Sequence, residues 1–234
     1  MPDKRFYTHA RLIEGSTILL NRGEHHHLVH VMRQKVGKDV EIVNGEGLLV
    51  LAKITKISKQ ETSLVVGSLL QKEDQLKPPL IISQAIPRLN RLDTILEKGT
   101  ELGMDEIWLF PGEKSERTTL SANQMERLEG IAIAAMKQCG RLHLPKIILK
   151  PPLLKQLSLP CPAYFGDTDR MAPRFSSLFE NNLNGTLFYI GPEGGFSHSE
   201  KDHLQKLGAL GVSLHSNILR TDTASLVALS IMTH

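Results

Sequence analysis

The N-terminal third of the chain alternates short apolar runs with polar turns. The runs are rich in leucine and β-branched residues, and their sequences are STILL, DVEIV, LLVLAKITKI and TSLVVG. The tetrapeptide NGEG at 44–47 separates two of them, which is typical of a β-hairpin turn. One helical stretch, EHHHLVHVMR, interrupts the series. Short strands at regular spacing predict a small β-barrel over residues 1–72.

The pattern changes after a polar segment that ends in two prolines. This segment, QKEDQLKPP, has the composition of a linker, which we place at residues 73–79. Residues 80–234 then alternate strands with helices, and the predicted strands are LIISQAI, EIWLF, KIIL, AYFG, TLFYI and VSL. This alternation predicts an α/β domain with a parallel sheet covered on both faces. Ligands of such sheets bind beyond the carboxyl ends of the strands.

Three helices of the second region carry distinct signals. Apolar residues share one face of RLDTILEKGTELG, which should end at Gly103. A capping box of Ser121 and Gln124 should start the next helix, whose apolar residues recur at helical spacing up to Gly140. The last helix, DTASLVALSIMTH, is apolar almost all round. It is therefore enclosed in this subunit or packed against another, and we favour the second.

Composition places the chain among soluble globular proteins. Its 234 residues are 41% hydrophobic and 23% charged, enough for one large domain or two smaller ones. No apolar run approaches the ~20 residues of a membrane helix, and no signal peptide is visible. Cys139 and Cys161 make no disulfide framework, so we expect two buried thiols in a cytoplasmic protein.

Charge is unevenly distributed along the chain. The net charge is +3, and residues 1–72 hold eleven Lys or Arg against seven Asp or Glu. A basic N-terminal region is typical of a module that binds RNA or DNA, although an excess of this size also arises by chance.

The glycine-rich stretch YIGPEGGFSHSE at 189–200 follows a predicted strand and precedes a predicted helix. Its glycines match neither a Walker loop, which needs a following lysine, nor the spacing of a dinucleotide-binding loop. Glu193 would repel an anion, and a capping box of Ser197 and Glu200 occupies the helix N-terminus that a phosphate would need. The turn should therefore hold a neutral or cationic ligand, unless it is a plain β–α turn.

A second polar segment, HSNILRTDTASLVAL, enters the last helix. It places Arg220, Thr221, Asp222 and Thr223 at the helix start, where Thr221 or Asp222 could cap it. A cation at the positive end of a helix is unfavourable, so Arg220 should have an anionic or polar partner.

Together, IGPEGGF and LRTDTA resemble the two C-terminal signatures of bacterial 16S rRNA (uracil-N3)-methyltransferases of the SPOUT class. HHLVHVMRQKVG, RLDTILEKGTELGMDEI, KSER and KQCGR resemble further motifs of that family, in the same order. The resemblance implies an N-terminal PUA-like RNA-binding β-barrel and a C-terminal SPOUT methyltransferase domain with a deep trefoil knot and a mostly parallel sheet. It also implies S-adenosyl-L-methionine as cofactor, a homodimer, and 16S rRNA within the small ribosomal subunit as partner.

The resemblance also assigns roles to residues. Arg220 would be catalytic and stabilise negative charge that develops on uracil, because an arginine cannot act as a base at neutral pH. RNA contacts are implied for His27, Arg33, Lys35, Arg88, Arg91 and Arg141. Cofactor contacts are implied for Asp167, Gly191, Pro192, Glu193, Gly194, Gly195, Leu214, Ile218, Leu219, Thr221, Thr223 and Ala224.

This sequence departs from the family pattern at three positions. His215 and Leu89 stand where glycine is usual, and Asn217 replaces an arginine. Two alternative functions therefore stay open: a ribose 2′-O-methyltransferase of the same class, or a non-catalytic RNA-binding protein with an altered pocket.

The histidines at 25–27 and His30 could suggest a metal site. His26 and His30 could share a helical face, but no acidic residue or cysteine completes a ligand set nearby, so we expect no metal. Trp108 lies in an apolar strand and is expected in the core.

Overall fold

The computed structural model describes residues 5–74, 77–180 and 182–233. They form two compact units. Unit 1 comprises Met1–Leu76 and Ile133–Leu144, and unit 2 comprises Lys77–Ala132 and Pro145–His234. The first four residues of the predicted barrel and residues 75 and 76 of the predicted linker lie outside the described residues.

Unit 1 contains a five-stranded mixed sheet in the order β1-β3-β4-β5-β2. Only β1 and β3 pair in parallel, and the other ladders are antiparallel. The NGEG turn joins β3 to β4 as predicted. The strands are β1 (Arg5–Tyr7), β2 (Thr17–Asn21), β3 (Asp39–Val43), β4 (Leu48–Ile57) and β5 (Glu61–Lys72).

The predicted helix of unit 1 is present in two parts. Helix α1 (Arg22–His26) continues directly into a π-helical segment, His27–Val31. Leu28 is fully buried in the core of the sheet, and the Nδ1 atom of buried His25 lies 2.8 Å from the hydroxyl of Thr62. These contacts attach the helical segment to the sheet.

Residues 133–144 pack with unit 1, whereas the linear division of the sequence assigned them to the C-terminal domain. Met136 and Leu142 are fully buried against Tyr7, Val43 and Leu49. Apolar burial is non-directional, so the sequence pattern shows that these residues are core but not which core they join.

Unit 2 is built on a six-stranded sheet in the order β11-β9-β10-β6-β7-β8. Every ladder is parallel, which confirms the predicted α/β sheet. Strand β10 (Thr186–Ile190), in the middle of this order, is buried along its whole length, as a central strand of a sheet covered on both faces should be. The strands are β6 (Leu80–Ala85), β7 (Glu106–Phe110), β8 (Lys146–Leu149), β9 (Ala163–Gly166), β10 (Thr186–Ile190) and β11 (Leu210–Val212).

The helices of unit 2 follow these strands along the chain, and residues 133–139 of α3 belong to unit 1. They are α2 (Leu89–Glu101), α3 (Ala122–Cys139), the 3-10 turn Leu153–Lys155, α4 (Phe175–Leu178), α5 (His198–Lys206) and α6 (Thr221–Met232). Both predicted capping boxes form: the Ser121 N–H donates to Gln124 Oε1 at 2.9 Å, and the Ser197 N–H donates to Glu200 Oε2 at the same distance. The deep trefoil knot stays a prediction.

Two local predictions are wrong. The N-cap of α6 is Arg220, and no side chain caps it, because the Thr221 hydroxyl is hydrogen-bonded to another segment. Cys139 is exposed at the end of α3, whereas Cys161 is buried as expected. Burial raises the pKa of the Cys161 thiol to about 11.

The remaining expectations concern the core, membrane spans and metals. Trp108 lies in the core, and its Nε1–H donates to Glu106 Oε2 at 2.8 Å. Over the described ranges, no helix combines the length and the apolar character that crossing a membrane requires. The same ranges contain no cluster of three or more His, Cys, Asp or Glu side chains that could hold a metal ion.

Candidate functional site

The candidate site residues of unit 2 follow the carboxyl ends of neighbouring strands. Asp167 comes directly after β9, Gly191 directly after β10, Leu214 two residues after β11, and Arg88 three residues after β6. These four strands are adjacent and parallel, so their carboxyl ends meet at one edge of the sheet. This is the edge at which open α/β sheets bind ligands.

The glycine-rich turn requires glycine at its first position. A Cβ added to Gly191 would lie 3.0 Å from the backbone nitrogen of Phe196, closer than such atoms normally approach. Gly195 has φ +68°, and its N–H donates to the Pro192 carbonyl at 2.8 Å. Pro192 is buried, whereas Glu193 and Gly194 are exposed. The turn is therefore compact, with its middle residues open to solvent.

A loop after β7, which was not predicted to be part of the site, holds this turn. Lys114 Nζ donates to the Phe196 carbonyl at 3.1 Å, and the Glu113 N–H donates to Glu200 Oε1 at 3.0 Å. The Ser199 hydroxyl donates to Glu113 Oε2 at 2.9 Å. The KSER motif was the available signal, but nothing in its spacing indicates which segment it contacts.

The glycine-rich turn contacts the start of α6, so the two segments to which the resemblance assigns cofactor contacts are adjacent. The Thr221 hydroxyl donates to the Gly191 carbonyl at 3.2 Å and accepts from Gln84 Nε2 at 2.9 Å. Gln84 lies near the end of β6 and is fully buried. Thr223 is exposed and Ala224 half-buried on the same helix, so the cofactor residues predicted there differ in accessibility.

Arg220 and Ile218 are exposed in the loop before α6, while Leu214 and Leu219 are half-buried. Within residues 5–74, 77–180 and 182–233, no ion pair or hydrogen bond to the Arg220 guanidinium is found. The anionic or polar partner expected for Arg220 is therefore not among these residues. Its charge remains available to a ligand.

Two predicted RNA-binding arginines are paired with acids. Arg91 Nη1 lies 3.5 Å from Glu193 Oε1, so the carboxylate of the glycine-rich turn has a cation beside it. Arg88 donates two hydrogen bonds to Glu116, at 2.8 and 3.1 Å. Those bonds raise the pKa of Arg88 and lower the pKa of Glu116. An RNA phosphate would compete with these carboxylates for either arginine.

The carboxylate of Asp167 is held in place by hydrogen bonds. Its Oδ1 accepts from Lys201 Nζ at 2.6 Å and from the Asp169 N–H at 3.1 Å. Burial opposes ionisation of this carboxyl, but these hydrogen bonds prevail and lower its pKa below the ordinary value. Asp167 therefore joins the end of β9 to α5 in its ionised form.

The remaining predicted RNA-binding residues belong to unit 1. Arg33, which has φ +50°, and Lys35 are exposed after the π-helical segment. The ring of His27 packs edge-on against Phe6, with 5.7 Å between the ring centroids. Arg141 is half-buried in the segment 133–144. Their contact with RNA stays a prediction.

The three departures from the family pattern have local consequences. The His215 ring accepts the Asn217 N–H at 3.0 Å through Nδ1, and the Ser213 hydroxyl donates to the His215 carbonyl at 3.1 Å. His215 therefore shapes its own turn. Asn217 is exposed, and Leu89 is the half-buried first residue of α2.

Comparison with known protein families agrees with this arrangement. Residues 74–233 match the model of an RNA methyltransferase domain, and residues 20–66 match that of an RNA methyltransferase PUA domain. The two matches correspond to the α/β sheet of unit 2 and to the mixed sheet of unit 1.

Curated relatives and solved structures match almost the whole chain. Ribosomal RNA small subunit methyltransferase E of Rickettsia conorii is 31% identical, over 98% of this chain and 95% of its own length. The Bacillus subtilis protein of the same name is 26% identical, over 97% and 93%. The crystal structure of the Neisseria gonorrhoeae protein of that name, bound to S-adenosyl methionine, superposes with a TM-score of 0.83 at 25% identity, over 98% of this chain and 96% of its own. A Legionella pneumophila protein solved with the same cofactor has a TM-score of 0.86 at 26% identity, over 97% and 96%.

Proposed function

This chain belongs to the ribosomal RNA small subunit methyltransferase E family, and from that premise we propose that it methylates N3 of one uridine in 16S rRNA. S-adenosylmethionine is the methyl donor. The family membership makes the chain an RNA methyltransferase, and the nucleotide and the atom that it methylates are the proposed part.

One observation carries the proposal. The two segments that carry the family signatures are separate in the sequence, with 30 positions between Gly191 and Thr221. The Thr221 hydroxyl nevertheless donates a hydrogen bond to the Gly191 carbonyl. They meet where adjacent parallel strands end, and this is where such sheets bind small ligands. The resemblance assigns cofactor contacts to both segments, so this contact between them supports a methyltransferase site.

The residues at this edge fit the cofactor. The space in which a Cβ of residue 195 would lie is open, so a planar, neutral adenine can approach the bare backbone of Gly195 closely. The capping box of Ser197 and Glu200 already occupies the amides at the start of α5, which disfavours a phosphate ligand. Leu214, Ile218 and Leu219 supply apolar side chains on the loop that follows β11. These residues, with Asp167 and the glycine-rich turn, would hold the cofactor.

When bound, the cofactor would supply an electrophilic methyl group on a cationic sulfur: the bond from N3 to the methyl carbon forms as the carbon–sulfur bond breaks, and the sulfur leaves as a neutral thioether. For N3 to attack, its proton must pass to a base such as water, and negative charge then spreads over the uracil oxygens. The exposed guanidinium of Arg220, which has no acidic partner among the described residues, can donate hydrogen bonds to those oxygens. Holding the methyl group and the nitrogen in line supplies much of the remaining acceleration.

Unit 1 is proposed to bind the rRNA. Its PUA-domain match and its exposed Arg33 and Lys35 support this role, because lysine and arginine contacts to phosphate dominate RNA affinity. The target uridine must leave any base stack to reach a pocket in unit 2. Such a protein works in the cytoplasm, where small subunits are assembled.

The experiment is methylation of small ribosomal subunits from cells that lack this modification. We expect the purified protein and labelled cofactor to produce 3-methyluridine at one position, read by mass spectrometry of nuclease fragments. A 2′-O-methylated ribose would instead support the alternative methyltransferase. Absence of both transfer and cofactor binding would support a non-catalytic RNA-binding protein.

A further inference from the structure

A buried chain of hydrogen bonds lies behind the proposed cofactor pocket. Its centre is Gln84, which no signature motif includes and which is fully buried near the end of β6. The Gln84 amide donates to the Ala85 carbonyl at 2.8 Å and to the Thr221 hydroxyl at 2.9 Å. Its oxygen accepts from the Ser225 hydroxyl at 2.7 Å. A carbonyl can only accept, so the Ala85 contact fixes which way the amide faces.

The chain continues to the glycine-rich turn. Thr221 accepts from Gln84 and donates its own proton to the Gly191 carbonyl at 3.2 Å. The Ser225 hydroxyl, also fully buried, lies 3.0 Å from the Thr221 carbonyl one helical turn earlier. Over the described residues, Gln84 is the only side chain of β6 that is hydrogen-bonded to α6, and it links β6 to Thr221 and, through Thr221, to Gly191.

These bonds are directional and carry a large penalty when broken. A buried amide or hydroxyl that loses its partner is left desolvated and without a hydrogen bond. Apolar contacts around it do not compensate for that cost in free energy. Apolar packing alone would tolerate a shift of α6 along β6. The hydrogen-bonded chain allows only the position in which the Thr221 hydroxyl meets the Gly191 carbonyl.

We infer that Gln84 and Ser225 are positioning residues for the methyl donor, an inference that rests on the proposed function. Both side chains are fully buried and would act without contacting the ligand themselves. They set the distance between two sides of the pocket, the glycine-rich turn 191–195 and the segment 218–224. A change of a few tenths of an ångström there would loosen the contacts that bind the adenine and orient the methyl group.

The test uses Gln84→Met, which keeps the length and volume of the side chain but removes its hydrogen bonds. Titration calorimetry with S-adenosylmethionine should show binding about tenfold weaker or more, corresponding to about one lost buried hydrogen bond. Hydrogen exchange measured without ligand should be faster at the Gly195 and Ala224 amides, whose bonds to Pro192 and Arg220 close the two sides of the pocket.

Thr100→Val is the matched control for loss of stability. Thr100 is also fully buried in unit 2, and its hydroxyl donates within α2 to the Leu96 carbonyl at 2.7 Å. This variant should lower the melting temperature as Gln84→Met does, with cofactor affinity and the exchange of the two amides unchanged. If Gln84→Met has a lower melting temperature but matches the wild type in both cofactor affinity and amide exchange, Gln84 only stabilises the core and the inference is overturned.

Variants of Thr221 test the same chain from its other end. Thr221→Val removes the hydroxyl and should reproduce the faster exchange, whereas Thr221→Ser retains it and should restore most of the protection. Gln84→Met combined with Thr221→Val should be little worse than either alone, because both break the same chain. Fully additive effects on exchange would contradict the inference. Hydrogen exchange is measured without cofactor. If the wild-type protein bound no S-adenosylmethionine, the proposed function would be refuted, while the exchange data would still test the role of Gln84.

Discussion

At the scale of single residues, the proposed chemistry depends on Arg220. A group that meets charge only as it develops changes turnover more than ground-state binding. We expect Arg220→Ala to lower single-turnover methylation at saturating RNA by about 100-fold or more. The affinity for S-adenosylmethionine, measured by titration calorimetry, should change little.

Arg33→Ala is the matched comparison, because it also removes one exposed arginine, from unit 1. Its effect should appear in RNA affinity, together with a salt dependence that is lower by about one counterion. Wild-type turnover in Arg220→Ala would show that the arginine has no role in the transition state.

At the scale of elements, the pair of Asp167 and Lys201 joins β9 to α5. The pKa of Asp167 is lower in the folded protein than its ordinary value, so folding favours the carboxylate. This stabilisation is complete above an ordinary aspartate pKa of about 4 and is lost as pH falls through the lower folded value. Asp167→Asn should therefore be less stable than the wild type at pH 7, and the difference should shrink at pH 3.

Urea unfolding at several pH values measures this difference. Asp74→Asn is the control, because the Asp74 pair with Lys72 is mostly exposed and contributes little at any pH. A stability difference for Asp167→Asn that does not vary with pH would mean that the amide disturbs packing rather than removing a charge.

At the scale of the whole molecule, α6 is enclosed on only one face. Thr221, Ser225, Ala228, Leu229 and Met232 are buried. Val227 and Ile231, on the opposite face, are only half-buried although apolar. An apolar helix face left partly open is typical of a surface that another subunit covers.

We therefore expect a homodimer through α6. Light scattering at micromolar concentration should give twice the mass of one chain, and Val227→Glu should shift the population towards monomer because it places a charge in the interface. Ala122→Glu, at an exposed position of α3, should leave the dimer intact. A wild-type mass of a single chain would refute this assembly.

Elements were predicted most accurately where their signals are local. The bounds of β4, β7, β9 and β10 coincide with the apolar runs that predicted them. Turn-forming residues flank each run, so its limits can be read without tertiary information. Predictions that depended on distant partners were less accurate. The last strand ends at Val212 rather than including Leu214, because it pairs with β9 from Leu210 onward.

The sequence by itself determined the order of strands and helices, the parallel character of the second sheet, and the two signatures of the candidate site. The elements and the sheet type follow from periodicity, capping and turn residues, whose physical causes act within a few positions of the chain, whereas the signatures were identified by their resemblance to a known family. The tertiary structure decided what those signatures touch. It placed Lys114 beside the glycine-rich turn, Arg91 beside Glu193, and Gln84 behind Thr221. Such contacts join residues 80 or more positions apart, and a hydrogen bond depends on distance and direction in space, which spacing along a chain does not specify.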